Sequence, residues 1–374
     1  MRTLFVQFAG LALWIAAAWS QQPPAAETML RHAIELHQAG DAAGAIPEYR
    51  AYLQQVPGNA MARSNLGAAL SHMGQYEEAI VEYKTALESQ PGNLPVRLNL
   101  ALAYYKTMEI AQAASELERV VAEKPSDRQA LFLLADCELR LGENTKVIGL
   151  LSPLEAQPVD DKALDYLLGT ALIRDDQTAR GQLLVDRILR YGDSAEARVL
   201  MGTAKLGARD YSSALEDFKK AVELNPRLPD VYSYYGIALS GSGDTPGAAA
   251  AFRKELESNP NDYTANLQLG ILLKQDEDYT GARHCFERAL GVRPHDAAIR
   301  YQVATLDLED GHTDEARVEL EKLIEEAPRF VEAHVSLATV YYRLKRKEEG
   351  DKERAIVLRL NAEKQGAETG GKGK

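Results

Sequence analysis

A period of 34 residues runs through this chain and constrains its fold more than any other feature. Pro57, Pro91 and Pro125 stand 34 apart, as do Pro226, Pro260, Pro294 and Pro328. The 101-residue gap from Pro125 to Pro226 divides into two repeats of 34 and one of 33. Residues 263–296 show what one repeat holds. Leu267, Leu269, Gly270, Ile271 and Leu273 fall at helical spacing, a polar stretch runs from Lys274 to Asp278, and Ala282, Cys285, Phe286, Ala289 and Leu290 form a second amphipathic run stopped by Pro294. Two short antiparallel helices across a tight turn are expected. A pair of that size cannot cover its own apolar face, so successive pairs must stack into one array.

On this register repeats begin at Ala26, Ala60, Leu94, Arg128, Lys162, Ala195, Pro229, Tyr263, Ala297 and Val331. The eighth place of each is small: Ala33, Gly67, Ala101, Ala135, Gly169, Gly202, Gly236, Gly270, Ala304 and Ala338. The twentieth is Ala, Gly or, once, Val: Ala45, Ala79, Ala113, Val147, Gly181, Ala214, Ala248, Ala282, Ala316 and Gly350. Small side chains there let helix backbones approach, while Leu70, Tyr83, Tyr104, Phe218, Phe252 and Phe286 fill the space between.

Repeat length, small places, aromatic fillers and terminal prolines together resemble the tetratricopeptide repeat family, over residues 26–360. The resemblance implies an all-α, right-handed α-solenoid of antiparallel helix pairs, with about nine full repeats, a half repeat and a capping helix. Departures are local. The fourth and fifth repeats carry Val159 (beside Pro158) and Asp193 where the proline is usual, and the tenth carries Arg354 where an aromatic is usual.

The resemblance also implies that first helices line a concave groove, with places 2, 5, 6, 9, 12 and 13 pointing inward. Place 6 offers Asn65 and Asn99, then Leu133, Leu167 and Leu200, then Tyr234, Gln268, Gln302 and Ser336. Phe132, Tyr166 and Val199 at place 5 extend the apolar middle. Two readings of that middle stay open: an anchor for a peptide or partner helix, or closer packing of neighbouring first helices. Place 13 carries Lys106, Arg140 and Arg174 in consecutive repeats. This is either a cationic ladder for an acidic ligand, or the cation that any helix C-terminus favours. The family's carboxylate clamp is not matched: Leu30, Pro95 and Asn99 stand where bases are needed and Ile34 where an asparagine is, leaving only Asn65.

Outside the repeats, residues 1–20 combine Arg2, an apolar run from Leu4 to Ala18 and the small-x-small sequence Ala18-Trp19-Ser20. They are expected to be a secretory signal peptide, with an uncleaved anchor helix as the alternative. Residues 21–25 form a flexible lead-in and residues 361–374 a disordered tail. Export places the mature protein in the periplasm or outside the cell, without a stable membrane span once cleaved. The net charge of −12 argues against general nucleic-acid binding. The two cysteines, Cys137 and Cys285, lie four repeats apart and are expected to be unbridged core residues.

No catalytic constellation emerges. Gly366 to Lys372 matches phosphate-loop spacing, but Gly373 stands where a Ser or Thr is needed. His32 and His37 lie on different helix faces and no HExxH occurs; His72 could sit near His37 on neighbouring first helices, but both are expected to be solvated polar residues. The chain is read as a non-enzyme with no cofactor and no metal. Its expected function is a scaffold of the cell envelope holding a protein or peptide in its groove. The alternative is an accessory binder in polysaccharide export, with Tyr105, Tyr166, Tyr234, Tyr301 and Tyr342 as candidate sugar contacts.

Overall fold

The computed structural model describes residues 24–155, 161–190 and 192–370, and all regular structure among them is α-helix. The chain divides into two compact units, residues 1–99 and 100–374. The first holds α1 (Pro24–Gln38), α2 (Ala42–Gln55), α3 (Ala60–His72), α4 (Tyr76–Ser89) and the start of α5 (Leu94–Lys106). The second holds the rest of α5, then α6 (Ile110–Glu123), α7 (Arg128–Leu141), α8 (Asn144–Glu155), α9 (Lys162–Arg174) and α10 (Thr178–Leu189). It continues with α11 (Ala195–Gly207), α12 (Tyr211–Leu224), α13 (Val231–Gly241), α14 (Thr245–Ser258), α15 (Tyr263–Gln275) and α16 (Tyr279–Val292). It ends with α17 (Ala297–Glu309), α18 (Thr313–Glu326), α19 (Val331–Arg343) and α20 (Lys347–Gly370).

Polar residues just before the first helices fix their starts. The side chains of Asn59, Asp127, Asp161, Ser194, Asp262 and Asp296 accept backbone N–H bonds from the first turns of α3, α7, α9, α11, α15 and α17. The turn inside every repeat passes through one left-handed residue. It is Gly40, Gly74, Gly142, Gly243 or Gly311 in five repeats, and Met108, Asp176, Arg209, Glu277 or Lys345 in the others.

The small places of the register are core. A Cβ on Gly67, Gly202, Gly236 or Gly270 would lie 2.8, 2.6, 2.5 and 2.5 Å from the ring of Tyr83, Phe218, Phe252 or Phe286 in the same repeat. Each of those rings is fully buried. Where the ring is replaced by Leu117, Leu151 or Leu320, the partner place holds Ala101, Ala135 or Ala304 instead, all buried. Volume is therefore traded across the helix pair in these seven repeats, while the first departs from the trade, with Ala33 and Tyr49 both buried at the same places. The tenth repeat inverts the trade: Gly350 on α20 receives the ring of Tyr342 on α19.

Three boundaries differ from the sequence reading. Helix α1 starts at Pro24 rather than Ala26, so it takes in the end of the expected flexible lead-in; a proline fits a helix's first turn, where its missing N–H costs nothing. Helix α13 starts at Val231 rather than Pro229, because Asp230 sits left-handed (φ 64°) and breaks the entry. Helix α20 pairs with α19 and runs to Gly370, so the tenth repeat is complete and the helix extends beyond residue 360. Gly350 and Leu360 are buried on it, while Glu348, Asp351, Lys352, Arg354 and Arg359 are exposed. The expected signal segment and the prolyl departure at Pro158–Val159 lie outside the described residues.

Within the second unit, each first helix from α7 to α17 touches the first helix of the next repeat; successive second helices stay further apart. The approach is closest at α7, α9 and α11. In the first unit α1 touches α3 in the same way. First helices therefore form the inner side of the local curvature, as the repeat pattern implies.

Candidate partner-binding surface

The close approach at α7, α9 and α11 explains the large apolar residues at their inward places. Val199 and Leu200 are each 1% exposed and belong to the contact between helices. Tyr166 packs against two core clusters, one around Val199 and Tyr234 and one around Ile188 and Leu200. Phe132 and Leu167 stay half-buried against the cluster of α7 to α10, and the Arg128 guanidinium lies 5.2 Å from the Phe132 ring centroid. Leu133 is half-buried as well. Packing thus takes Val199, Leu200 and most of Tyr166, leaving Phe132, Leu133 and Leu167 partly open on the inner side.

The three bases at place 13 do not form one ladder. Lys106 is exposed. Arg140 donates Nε–H to Asp136 at 2.8 Å and lies over the Tyr105 ring, whose hydroxyl donates to the same carboxylate at 2.6 Å. Arg174 donates to the Tyr234 hydroxyl at 2.8 Å and to the Leu139 carbonyl at 3.2 Å, with Asp230 at 3.6 Å. Both guanidinium groups are held by partners within the unit, which sets them to joining helices rather than awaiting a ligand. The register showed these cations but not their partners: Asp136 stands four residues before Arg140 on the same helix, and Asp230 and Tyr234 lie two repeats beyond Arg174.

A second contact had no sequence signal. Arg293, one residue past α16, donates from Nε and Nη2 to the Arg140 carbonyl at 2.9 and 2.7 Å. Its guanidinium lies 3.6 Å from the ring centroid of Tyr263, whose hydroxyl donates to Asp296 at 2.7 Å. Arg174 and Arg293 thus donate to two carbonyls of the last turn of α7, Leu139 (which also accepts from the Gly142 N–H) and Arg140. Gly142 follows them at φ +84°, and a Cβ there would meet Nη1 of Arg293 at 3.1 Å. The cleft bordered by Leu139, Arg140, Arg174, Asp230, Tyr263 and Arg293 has about 30 Å³ of free space, room for solvent but not a peptide.

Beside it lies a buried acidic group. The Glu255 carboxylate accepts backbone N–H bonds from Asp230 and Tyr232, both at 3.1 Å, and so caps α13 from α14. Asp262 accepts from Ser233 Oγ and Ala265 N, both at 2.6 Å. Ligand atoms of Asp230, Glu255 and Asp262 all lie within 4.8 Å of one another. Burial first, and the neighbouring carboxylates second, push Glu255 up to about 7 and Asp262 up to about 6. The donors that already meet Glu255 and Asp262 make this a helix-capping centre.

In the first unit the inner side is open. Ile34, His37, Gln38, Tyr49, Asn65 and His72 line a pocket of about 260 Å³. Tyr49 is buried and bonded to the Asn65 side chain, its ring 6.1 Å from that of His37. The His37 and His72 rings meet edge to face with centroids 5.4 Å apart, the proximity that neighbouring first helices allowed, with His72 exposed and His37 half-buried. Asn99, at the same place in its repeat as Asn65, is half-buried.

Both cysteines are buried and free, and burial pushes the Cys137 thiol up to about 12, out of the range of a nucleophile at neutral pH. Among the described residues no helix is long and apolar enough to cross a membrane. The start of the phosphate-loop look-alike falls within the last turn of α20, and its end lies outside the described residues.

No curated protein matches the chain. Among solved structures, a monomeric mutant of IFIT1 with Gppp-AAAA is 15% identical with a TM-score of 0.48, over 90% of each chain. The human IFIT1 dimer with PPP-AAAA is 15% identical with a TM-score of 0.48, over 88% of this chain and 89% of that one. A double mutant of MamA RS-1 is 22% identical with a TM-score of 0.42, over 46% of this chain and 97% of that one. One tetratricopeptide repeat family model matches residues 36–86, 73–130 and 273–337, and a second matches 199–263. Together they take in more than half of the chain, on the helix pairs just described. The chain belongs to the tetratricopeptide repeat family, whose members generally mediate protein–protein interactions.

Proposed function

We propose that this chain is a non-catalytic scaffold of the cell envelope that holds a peptide or partner protein on the inner side of its first helices. The observation that carries the reading is the division of labour along that side. Val199 and Leu200 are consumed by packing, and Arg140 and Arg174 by internal partners, while Asn99, Lys106, Phe132, Leu133 and Leu167 remain at least partly accessible. Within the second unit the accessible groups mix cation and apolar surface on successive first helices, which suits a peptide with apolar side chains. The envelope setting rests on the signal-like segment at residues 1–20.

Polysaccharide binding is the weaker reading. Four of the tyrosines that would stack on sugars have their hydroxyls engaged within the fold, Tyr105 with Asp136, Tyr234 with Arg174, Tyr301 with Ser336 and the exposed Tyr342 with Asp351. Affinity capture from envelope extract tests the proposal, comparing the wild type with a triple variant, Asn99→Ala, Lys106→Glu and Leu133→Ala, of matched circular dichroism. A protein retained by the wild type and lost from the variant is expected. Equal retention by both would remove the inner side from the reading, and retention of polysaccharide alone would favour the other one.

A further inference from the structure

We propose that the pocket of the first two repeats is a binding site for a divalent first-row transition-metal ion, held by the imidazoles of His37 and His72. The two residues stand in the last turns of α1 and α3, which end on the same side of the first unit. Their ring centroids are 5.4 Å apart, with planes at 82°. An ion about 2.0–2.1 Å from one nitrogen of each ring, at a tetrahedral angle, sets the centroids roughly 5 Å apart. The pair is therefore spaced for one ion without movement of either helix. His72 is exposed and His37 half-buried, so solvent reaches both rings.

The surroundings suit a cation. The C-terminal carbonyls of both helices carry the negative ends of their dipoles toward this side. The other lining residues, Ile34, Gln38, Tyr49 and Asn65, bring no positive charge. The open volume of about 260 Å³ admits the waters that would complete the coordination of an ion with two protein ligands. Imidazole ligands with water select zinc, copper or nickel over magnesium or calcium, which take oxygen.

The test is titration of the full, untagged chain with Zn²⁺ by calorimetry, alongside Cu²⁺ electron paramagnetic resonance to count nitrogen ligands. One equivalent of Zn²⁺ is expected, with affinity reduced at least tenfold in His37→Ala and in His72→Ala. The Cu²⁺ spectrum should change from two nitrogen ligands in the wild type to one in each variant. Glu255→Gln and the pair His284→Ala with His295→Ala should bind as the wild type does. Absence of saturable uptake, uptake unchanged in both pocket variants, or uptake lost in Glu255→Gln instead would each overturn the proposal. His72 is exposed, so His72→Ala keeps the test decisive should His37→Ala disturb folding.

Discussion

Gly236 and Phe252 pose the packing argument in its most testable form. A Cβ on residue 236 would sit 2.5 Å from Cε1 and 2.8 Å from Cδ1 of Phe252, against a comfortable carbon–carbon separation of about 3.5–4.0 Å. The ring is 0% exposed and belongs to the cluster containing Ala265, Leu269 and Leu272, so it has no free volume to move into. Overpacking of this kind costs about 1–3 kcal/mol, and the ring's rigidity places it near the top of that range. Replacing a mid-helix glycine by alanine returns about 1 kcal/mol, which leaves Gly236→Ala destabilised by about 2 kcal/mol. Phe252→Leu alone leaves a gap and costs about 1–2 kcal/mol. The double variant recreates the Ala–Leu pair the chain uses at Ala101–Leu117, Ala135–Leu151 and Ala304–Leu320. It should be more stable than Phe252→Leu alone by about 1 kcal/mol, a coupling of roughly 3 kcal/mol across the cycle. Denaturant unfolding measures the cycle. Because a stacked array need not unfold in one step, hydrogen exchange of α13 to α16 should report the same order. A Gly236→Ala variant that gains stability, or additive effects in the double variant, would refute the reasoning.

Three further outcomes follow from the second unit and its turns. Arg293→Ala removes two hydrogen bonds to the Arg140 carbonyl and the stack on Tyr263; about 1.5–3 kcal/mol of local stability should go. Faster amide exchange at the end of α7 and the start of α17 checks this, and unchanged exchange would make the contact incidental. Glu255, raised to about 7 from about 4.5 when unfolded, favours the folded state fully below about pH 4 and loses that contribution as pH rises through 7. The loss amounts to roughly 3 kcal/mol. Asp262, raised to about 6, acts with the same sign. The thermal midpoint should therefore rise on going from pH 8 to pH 5.5 and do so less in Glu255→Gln; a midpoint that falls in the wild type contradicts it. Glu277 holds φ 63° in the turn where other repeats place glycine. Glu277→Gly should stabilise by about 0.5–1 kcal/mol in the same denaturation assay, and a loss of stability would show the side chain to be needed there.

What was legible in the sequence is what repeats. Eight of the ten first helices begin on the residue that the proline spacing marks, from Ala60 to Val331 with Pro229 the internal exception. The small places and their fillers proved to be core because closely similar contacts recur in most helix pairs. What was not legible is what happens once. The left-handed Asp230 is specified by local partners of α14 and α15, and Arg293 reaches a carbonyl 153 residues away. Neither has a counterpart in other repeats, so no period could announce it. The inner side falls between these cases. Its register was readable, and so were the charges at place 13, but whether each group faces solvent or a partner depends on how closely neighbouring first helices approach. The closest approach, at α7 to α11, is what turned Leu200 and Val199 into core and left Leu133 half-open. The histidine pair shows the same rule in the other direction, since His37 and His72 meet only because α1 and α3 pack side by side.

The central claim is that partners dock on the inner side of the first helices. Site-specific photo-crosslinking in the native cell reads this most directly, with the reactive amino acid at Lys106 or Leu133 on the inner side and at Leu183, 61% exposed on the second helix α10, as the outer control. The account predicts an adduct of defined mass from Lys106 and Leu133 and none from Leu183. An adduct confined to Leu183, or no protein adduct from either inner position, would contradict it.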